Sequence, residues 1–322
     1  MVEEILNEKY RPKKLDDIVG QEHTIELLKK YVANKNIPHM LFAGLTGTGK
    51  TTCAQALARE LYGDNWGKYF YEMNASNERK LKDVREKIKP YAQAKVIDED
   101  FRIIFLDEVD HMDWQAQPAL RRIIEKYSST CRFILSCNYP NKVIEPIKDR
   151  CTPFRFSAIK KDEMKKMLRR ITTNESIDIS EGALDTLCRL SKGSMRKAIG
   201  TLEKLHNANI VNISEETIQK YFCYIDDEDL KDVVRTVMDG NLKATSEFVE
   251  GLLYEKAYAP EEIISAFELL LRESKILSVD GIVDANERLG EAEFRISVGC
   301  DPEIQLKTFF ISLYKQYKNN GV

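Results

Sequence analysis

The sequence predicts an α/β fold with a buried parallel sheet, followed by a chain that is helical to its end. Two observations predict the sheet. The apolar run Met40-Leu41-Phe42-Ala43 leads into Gly44-Leu45-Thr46-Gly47-Thr48-Gly49-Lys50-Thr51, and a helical pattern leads out over 52–61. A second apolar run, Ile103-Ile104-Phe105-Leu106, ends in Asp107-Glu108-Val109-Asp110. Unbroken apolar runs of this kind belong to strands buried on both faces. A third observation predicts the remainder: from Lys160 onward the apolar residues recur only at helical spacing.

Residues 1–39 read as an arm, a turn and a helix. Pro12 and Gly20 punctuate the arm, Ile25, Leu28, Tyr31 and Val32 share a helical face, and Pro38 ends that helix before the first strand. The loop at 44–51 fits the phosphate-binding pattern G-x-x-x-x-G-K-[ST] without a mismatch. Its chemistry requires glycines, because backbone N–H groups turn inward where a Cβ would block the phosphates. The following helix directs its positive end at the same point. Lys50 adds a point charge for the β and γ phosphates, and the Thr51 hydroxyl is placed to complete Mg²⁺ coordination. The competing reading, a glycine-rich turn with a surface lysine, lacks a reason for the strand before it and the helix after it.

Tyr69-Phe70-Tyr71-Glu72-Met73 predicts a second strand, and the polar break Asn74-Ala75-Ser76-Asn77 suits a helix cap. A helix is predicted over 78–93, where Lys82, Arg85 and Lys89 fall at i, i+3, i+7 on one face. Such a stripe can track a phosphate backbone, or it can be a solvated face with Asp83 and Glu86 as ion-pair partners. At the end of the strand over 101–109, Asp107 is placed to hold Mg²⁺ through its hydration shell and Glu108 to polarise an attacking water, so hydrolysis is implied. A helix over 114–127 carries Arg121-Arg122, and the next strand, 131–138, ends on Asn138. That amide can sense a γ phosphate or orient water, or it can be a turn former before Tyr139-Pro140. A short helix over 143–148 precedes Asp149-Arg150-Cys151 and a last strand over 153–156. Arg150 suits either the C-terminus of that helix or a neighbouring subunit's site as an arginine finger. Helices over 162–172, 180–190, 195–208 and 215–221 form a small second domain, in which Arg196 follows Gly193-Ser194 and can fold back onto the phosphates. The acidic run Asp226-Asp227-Glu228-Asp229 marks a boundary before further amphipathic helices, read as an assembly surface.

The whole composition sets limits. The chain has 322 residues, enough for two or three domains, with 43% hydrophobic and 31% charged residues. A net charge of −3 and a pI near 6.0 mean that DNA contact requires a local basic patch. Seven cysteines contain no C-x-x-C pair, so neither a zinc site nor a redox motif is supported. No signal peptide and no apolar run of roughly 18 residues is present, which leads to the expectation of a cytoplasmic protein.

Several of these stretches together resemble the small subunits of replication factor C, the sliding-clamp loader, in their archaeal form. The resemblance rests on Lys9-Tyr10-Arg11-Pro12, Asp17-Ile18-Val19-Gly20-Gln21-Glu22, Asn74-Ala75-Ser76, Gln-Pro-Ala-Leu-Arg-Arg at 117–122, Phe-Ile-Leu-Ser-Cys-Asn at 133–138 and Ile144-Glu145-Pro146-Ile147. It implies an AAA+ fold: a P-loop domain with a five-stranded parallel sheet over 1–159, a helical lid over 160–225 and a helical collar over 226–322. It further implies a five-membered ring with a large subunit, which uses ATP and Mg²⁺ to load the ring-shaped clamp, PCNA, onto primer-template DNA. By position, catalysis falls to Lys50, Asp107, Glu108, the first sensor Asn138, the trans-acting Arg150 and the second sensor Arg196. Nucleotide contacts fall to Asn7, Arg11, Val19, Gly44, Leu45, Thr46, Gly47, Thr48, Gly49, Lys50, Thr51, Thr52, Asn138 and Arg196, with Thr51 and Asp107 at the metal. The stripe Arg79, Lys82, Arg85 and Lys89 falls where the family tracks DNA. Three departures stand out: Asp149 in place of Ser, which puts an acid beside Arg150; Ser194 in place of Asp; and Leu45 and Thr46 in place of prolines. Lys80-Leu81-Lys82 also replaces Gly-Ile-Asp, adding positive charge. A DNA-translocating motor and an ATP-binding scaffold without turnover are the alternatives. Intact Lys50, Thr51, Asp107, Glu108 and Arg150 speak against the second.

Overall fold

The computed structural model describes residues 5–77, 80–94, 98–221, 232, 233, 235–237, 239–273 and 279–319. The chain divides into two compact units, Met1–Ser214 and Glu215–Val322. In the first, five strands form one sheet: β1 (Met40–Gly44), β2 (Phe70–Asn74), β3 (Arg102–Asp107), β4 (Cys131–Cys137) and β5 (Thr152–Phe156). Every pairing is parallel, in the order β2-β3-β4-β1-β5.

Successive strand residues face opposite sides of a sheet. Ile103 and Phe105 therefore join Met40, Phe42, Ile134 and Phe154 in one core, while Ile104 and Leu106 join Leu41, Met73, Phe133 and Leu135 in the other. The first described helix, α1 (Leu6–Lys9), precedes α2 (Glu22–Ala33) and α3 (Lys50–Tyr62), of which the last two cover the first face through Ile25, Leu28, Ala54 and Leu57. The second face is covered by α4 (Ala116–Lys126) through Leu120, Ile123 and Ile124. With helices on both faces the strands have no polar side, which is why they read as continuous apolar runs. His39, just before β1, accepts the Phe133 N–H at Nδ1 over 3.1 Å. Burial, with the nearby Arg132 charge, pushes its pKa down to about 4, so the ring remains a neutral acceptor.

The helix expected over 78–93 takes a different form. A helical turn at Leu81–Asp83 passes into a π-helical segment, Val84–Ile88, and then into a short helix, Lys89–Gln93. Val84, Ile88 and Ala92 enter the core at intervals of four. Lys82, Arg85 and Lys89 remain exposed. Arg79 lies outside the described residues.

Three helices complete the unit: α5 (Lys161–Asn174), α6 (Glu181–Leu190) and α7 (Met195–Asn207). They bury Met164, Leu168, Leu184, Leu187, Ala198 and Leu202. The hydroxyls of Ser180 and Ser194 cap α6 and α7, accepting the N–H groups of Ala183 and Lys197 over 3.2 and 3.4 Å. Ser194 thus performs the capping that an aspartate there would perform.

The second unit contains α8 (Glu215–Tyr221), α9 (Leu242–Glu250), α10 (Pro260–Glu273), α11 (Val279–Ser297) and α12 (Pro302–Asn319). Its core centres on Phe267, Phe309 and Phe310, whose ring centroids lie 4.8–5.5 Å apart, with Val249, Leu252, Leu289 and Leu306 around them. Among the described residues no helix is long and apolar enough to cross a membrane.

Candidate active site

Strand order assembles the site. The glycine-rich loop follows β1, the acidic pair ends β3 and Asn138 follows β4, and these three strands are adjacent in the sheet. Their register aligns Leu106 with Leu135 and Ala43 with Cys137, so all three loops leave the same edge together. Ligands of open α/β sheets bind at this carboxyl edge.

Gly47 and Gly49 take φ of +80° and +103°, the left-handed region open to glycine. A Cβ at Gly47 would stand 2.0 Å from Ser194 Oγ. The loop touches the start of α7 directly, since the Met195 N–H donates to Gly47 O over 3.1 Å. Lys50 is buried and its ammonium donates to Gly44 O (2.7 Å), Leu45 O (3.0 Å) and Asn138 Oδ1 (3.0 Å). Burial lowers its pKa, while Asp107 and Asp110 oppose that shift. The Thr51 hydroxyl donates to Asp107 Oδ2 over 3.0 Å. Glu108 stands at φ +58°, a left-handed conformation that costs a non-glycine residue energy and that clusters at functional sites. Its N–H donates to Asp107 Oδ1 over 3.0 Å.

These groups border a cavity of about 330 Å³. Asn7 and Arg11 of the arm, Val19, Thr46 through Thr52, Asp107, Glu108, Asn138 and Arg196 all line it. Gly44 and Leu45 do not; their carbonyls lie behind the cavity and hold Lys50. Arg150 stands apart from the cavity. Arg150, which follows the acid Asp149 in the sequence, pairs instead with Glu125 of α4 and donates to Pro146 O over 2.6 Å. Adjacent side chains leave a helix end in different directions, so the neighbour in sequence is not the neighbour in space.

Two residues without an assigned role support the site. The buried Asp110 accepts the N–H groups of Asn138 and Tyr139 at one oxygen, over 3.2 and 2.9 Å, and so fixes the segment that presents the Asn138 amide. The buried Gln21 donates to Thr48 O (3.3 Å) and Ser157 O (2.9 Å), tying the turn after the arm to the phosphate loop and to the end of β5. Asp110 closes the acidic run and Gln21 follows Gly20, but only the folded backbone shows what either one holds.

Comparison with known proteins agrees with this geometry. Residues 40–158 match the ATPase family associated with various cellular activities (AAA), and residues 225–312 match the replication factor C C-terminal domain. The chain is 43% identical over 313 residues to the replication factor C small subunit of Archaeoglobus fulgidus, covering 96% of this chain and 97% of that one. It is 40% identical over 316 residues to the small subunit of Haloarcula marismortui, covering 97% and 95%. Among solved structures, the Thermotoga maritima RuvB Holliday junction branch migration motor superposes with a TM-score of 0.54 at 20% identity, covering 74% of this chain and 84% of that one. That likeness is one of fold. The near full-length identity and the two family matches show that the chain belongs to the replication factor C small subunits, within the AAA ATPases.

Proposed function

We propose that this chain binds and hydrolyses ATP as a clamp-loader subunit, helping to open the ring-shaped sliding clamp (PCNA) and place it on primer-template DNA in replication. The observation that carries the reading is the convergence of Lys50, Thr51, Asp107, Glu108, Asn138 and Arg196 on one cavity, with Arg150 outside it. The glycine cradle fits phosphates, and the Thr51–Asp107 pair is a hard oxygen donor set suited to Mg²⁺. When bound, Mg²⁺ would neutralise charge on the β and γ phosphates. Lys50 binds the same phosphates, and its present acceptors show the reach of its ammonium. Glu108 takes the proton of the attacking water, Asn138 orients that water or the γ phosphate, and Arg196 closes on the phosphates from the lid. Arg150 serves the site of the next subunit in a five-membered ring with the large subunit. We read 1–159 as the ATPase domain, 160–225 as the lid and 226–322 as the collar of that ring.

DNA follows the exposed stripe of Lys82, Arg85 and Lys89, with Arg79 on the same segment. Lys82 lies 3.9 Å from Glu86 with both side chains largely exposed, a pair weak enough to yield to phosphate. Lys82→Ala with Arg85→Ala is expected to weaken DNA binding equally across sequences and to make the slope of log K against log salt shallower by about 2. Titration of primed DNA at several salt concentrations checks this, and an unchanged slope would remove the stripe from the interface.

The function itself is tested by steady-state ATPase of the chain assembled with its large subunit. Stimulation that requires both clamp and primed DNA supports clamp loading. Stimulation by DNA alone would favour the translocating motor, and tight ATP binding without turnover would favour the scaffold.

A further inference from the structure

The arm that borders the cavity is fastened to the lid. Lys9 Nζ lies 2.7 and 2.9 Å from the two carboxylate oxygens of Glu175, the residue that follows α5, and the Tyr10 hydroxyl donates to the same carboxylate. The Leu6 N–H donates to Glu203 Oε1 of α7 over 2.9 Å, and Leu6 is buried. The α1 turn packs on α7, with Asn7 Nδ2 3.5 Å from where a Cβ would stand at Gly200. Beyond Pro12 the chain crosses to the sheet side, where the buried Leu15 donates its N–H to Glu60 Oε1 of α3 over 2.7 Å. Asn7, Tyr10 and Arg11 line the cavity from the arm, as do Met167 from α5 and Arg196 from α7.

From this geometry we infer that Glu175 is a positioning residue for nucleotide binding: it clamps Lys9 and Tyr10 to the lid, so that arm and lid close over the nucleotide as one body. The inference rests on the ATP reading of the cavity. Its physical basis is preorganisation. A four-residue helix has no stability of its own in water, so an unfastened arm would have to be ordered at each binding event. The Lys9 ammonium and the Tyr10 hydroxyl hold the Glu175 carboxyl below the usual carboxylate range, in keeping with a made and charged contact. Glu175 does not itself line the cavity, so its effect belongs in affinity.

The test is equilibrium binding of mant-ATP to the full chain, together with kcat at saturating ATP. Glu175→Ala is expected to raise Kd about tenfold, the effect of losing charge-assisted bonds that preorganise the arm, with kcat within about twofold of wild type. Tyr10→Phe is expected to raise Kd by less, and the double variant to bind no worse than Glu175→Ala alone, since both changes break one contact. Glu175→Gln, which keeps an acceptor for Tyr10 and has the same shape, is expected to recover part of the affinity. A Kd within twofold of wild type in Glu175→Ala, fully additive effects in the double variant, or a loss confined to kcat would each overturn the inference. The ATP reading fails separately, if wild type takes up no mant-ATP or if Lys50→Ala binds it as wild type does.

Discussion

Glu108→Gln is expected to lower kcat by about 10²–10⁴, the usual worth of a positioned general base, while mant-ATP binding stays close to wild type. In energy this is about 3–5 kcal/mol of the barrier. The two effects separate because of how Glu108 is held. Its backbone is locked at φ +58° by the turn after β3, and its N–H is engaged by Asp107 Oδ1 over 3.0 Å. The amide of a glutamine can occupy the same place at nearly the same volume, so the fold, the Thr51–Asp107 pair and the Lys50 contacts are left alone. Only the capacity to accept a proton is removed. Single-turnover hydrolysis beside the binding titration checks this. A kcat within about threefold of wild type would mean that another group takes the proton and would remove Glu108 from the role given it here.

Arg150→Ala is expected to cost about 10³–10⁵ in stimulated turnover in the assembled ring and little in the affinity of its own cavity, as for other trans-acting arginines. Arg150 is about one-third exposed and absent from the cavity wall, so its own subunit offers it no phosphate. Its pair with Glu125 is between two partly exposed side chains, and such pairs are worth about 0–1 kcal/mol. Glu125 thus holds the guanidinium in place without a large penalty for release, and Glu125→Ala is expected to leave stimulated turnover within a few-fold. Mixed rings of wild-type and Arg150→Ala subunits carry the check. Activity should fall at sites facing a variant subunit and remain at sites facing a wild-type one. Loss at the variant subunit's own site would place Arg150 in cis.

Much of this architecture is legible in the residues. The apolar runs at β1, β3 and β4 and the glycine-rich loop announce a buried parallel sheet with a phosphate site, because burial on both faces leaves a strand no room for polar alternation. Strand order is not legible. Nothing in the local pattern of Ile103-Ile104-Phe105-Leu106 indicates that β3 lies beside β4, or that β1 inserts between β4 and β5, and it is this order that brings Lys50, Glu108 and Asn138 together. Long-range side-chain partners are hidden for the same reason. Asp149 is adjacent to Arg150 in the chain, while Glu125, 25 residues earlier, is adjacent in space. Asp110 reads as one more acid in an acidic run until its carboxylate is found under the Asn138 and Tyr139 amides. The π-helical form of Val84–Ile88 is not legible either, since buried residues recurring at intervals of four fit an ordinary α-helical face as well.

Whether ATP turnover in this chain loads a clamp is tested on circular primed DNA. The chain, its large subunit and labelled sliding clamp are mixed with the DNA, washed at high salt and scored for clamp retained on the circle. Retention is expected to require ATP, to be lost on linearising the circle so that the ring slides off, and to be absent when Lys50→Ala replaces the wild-type chain. Retention that is indifferent to ATP or to Lys50→Ala, or its absence in the complete wild-type mixture, would mean that ATP turnover in this chain does not load the clamp.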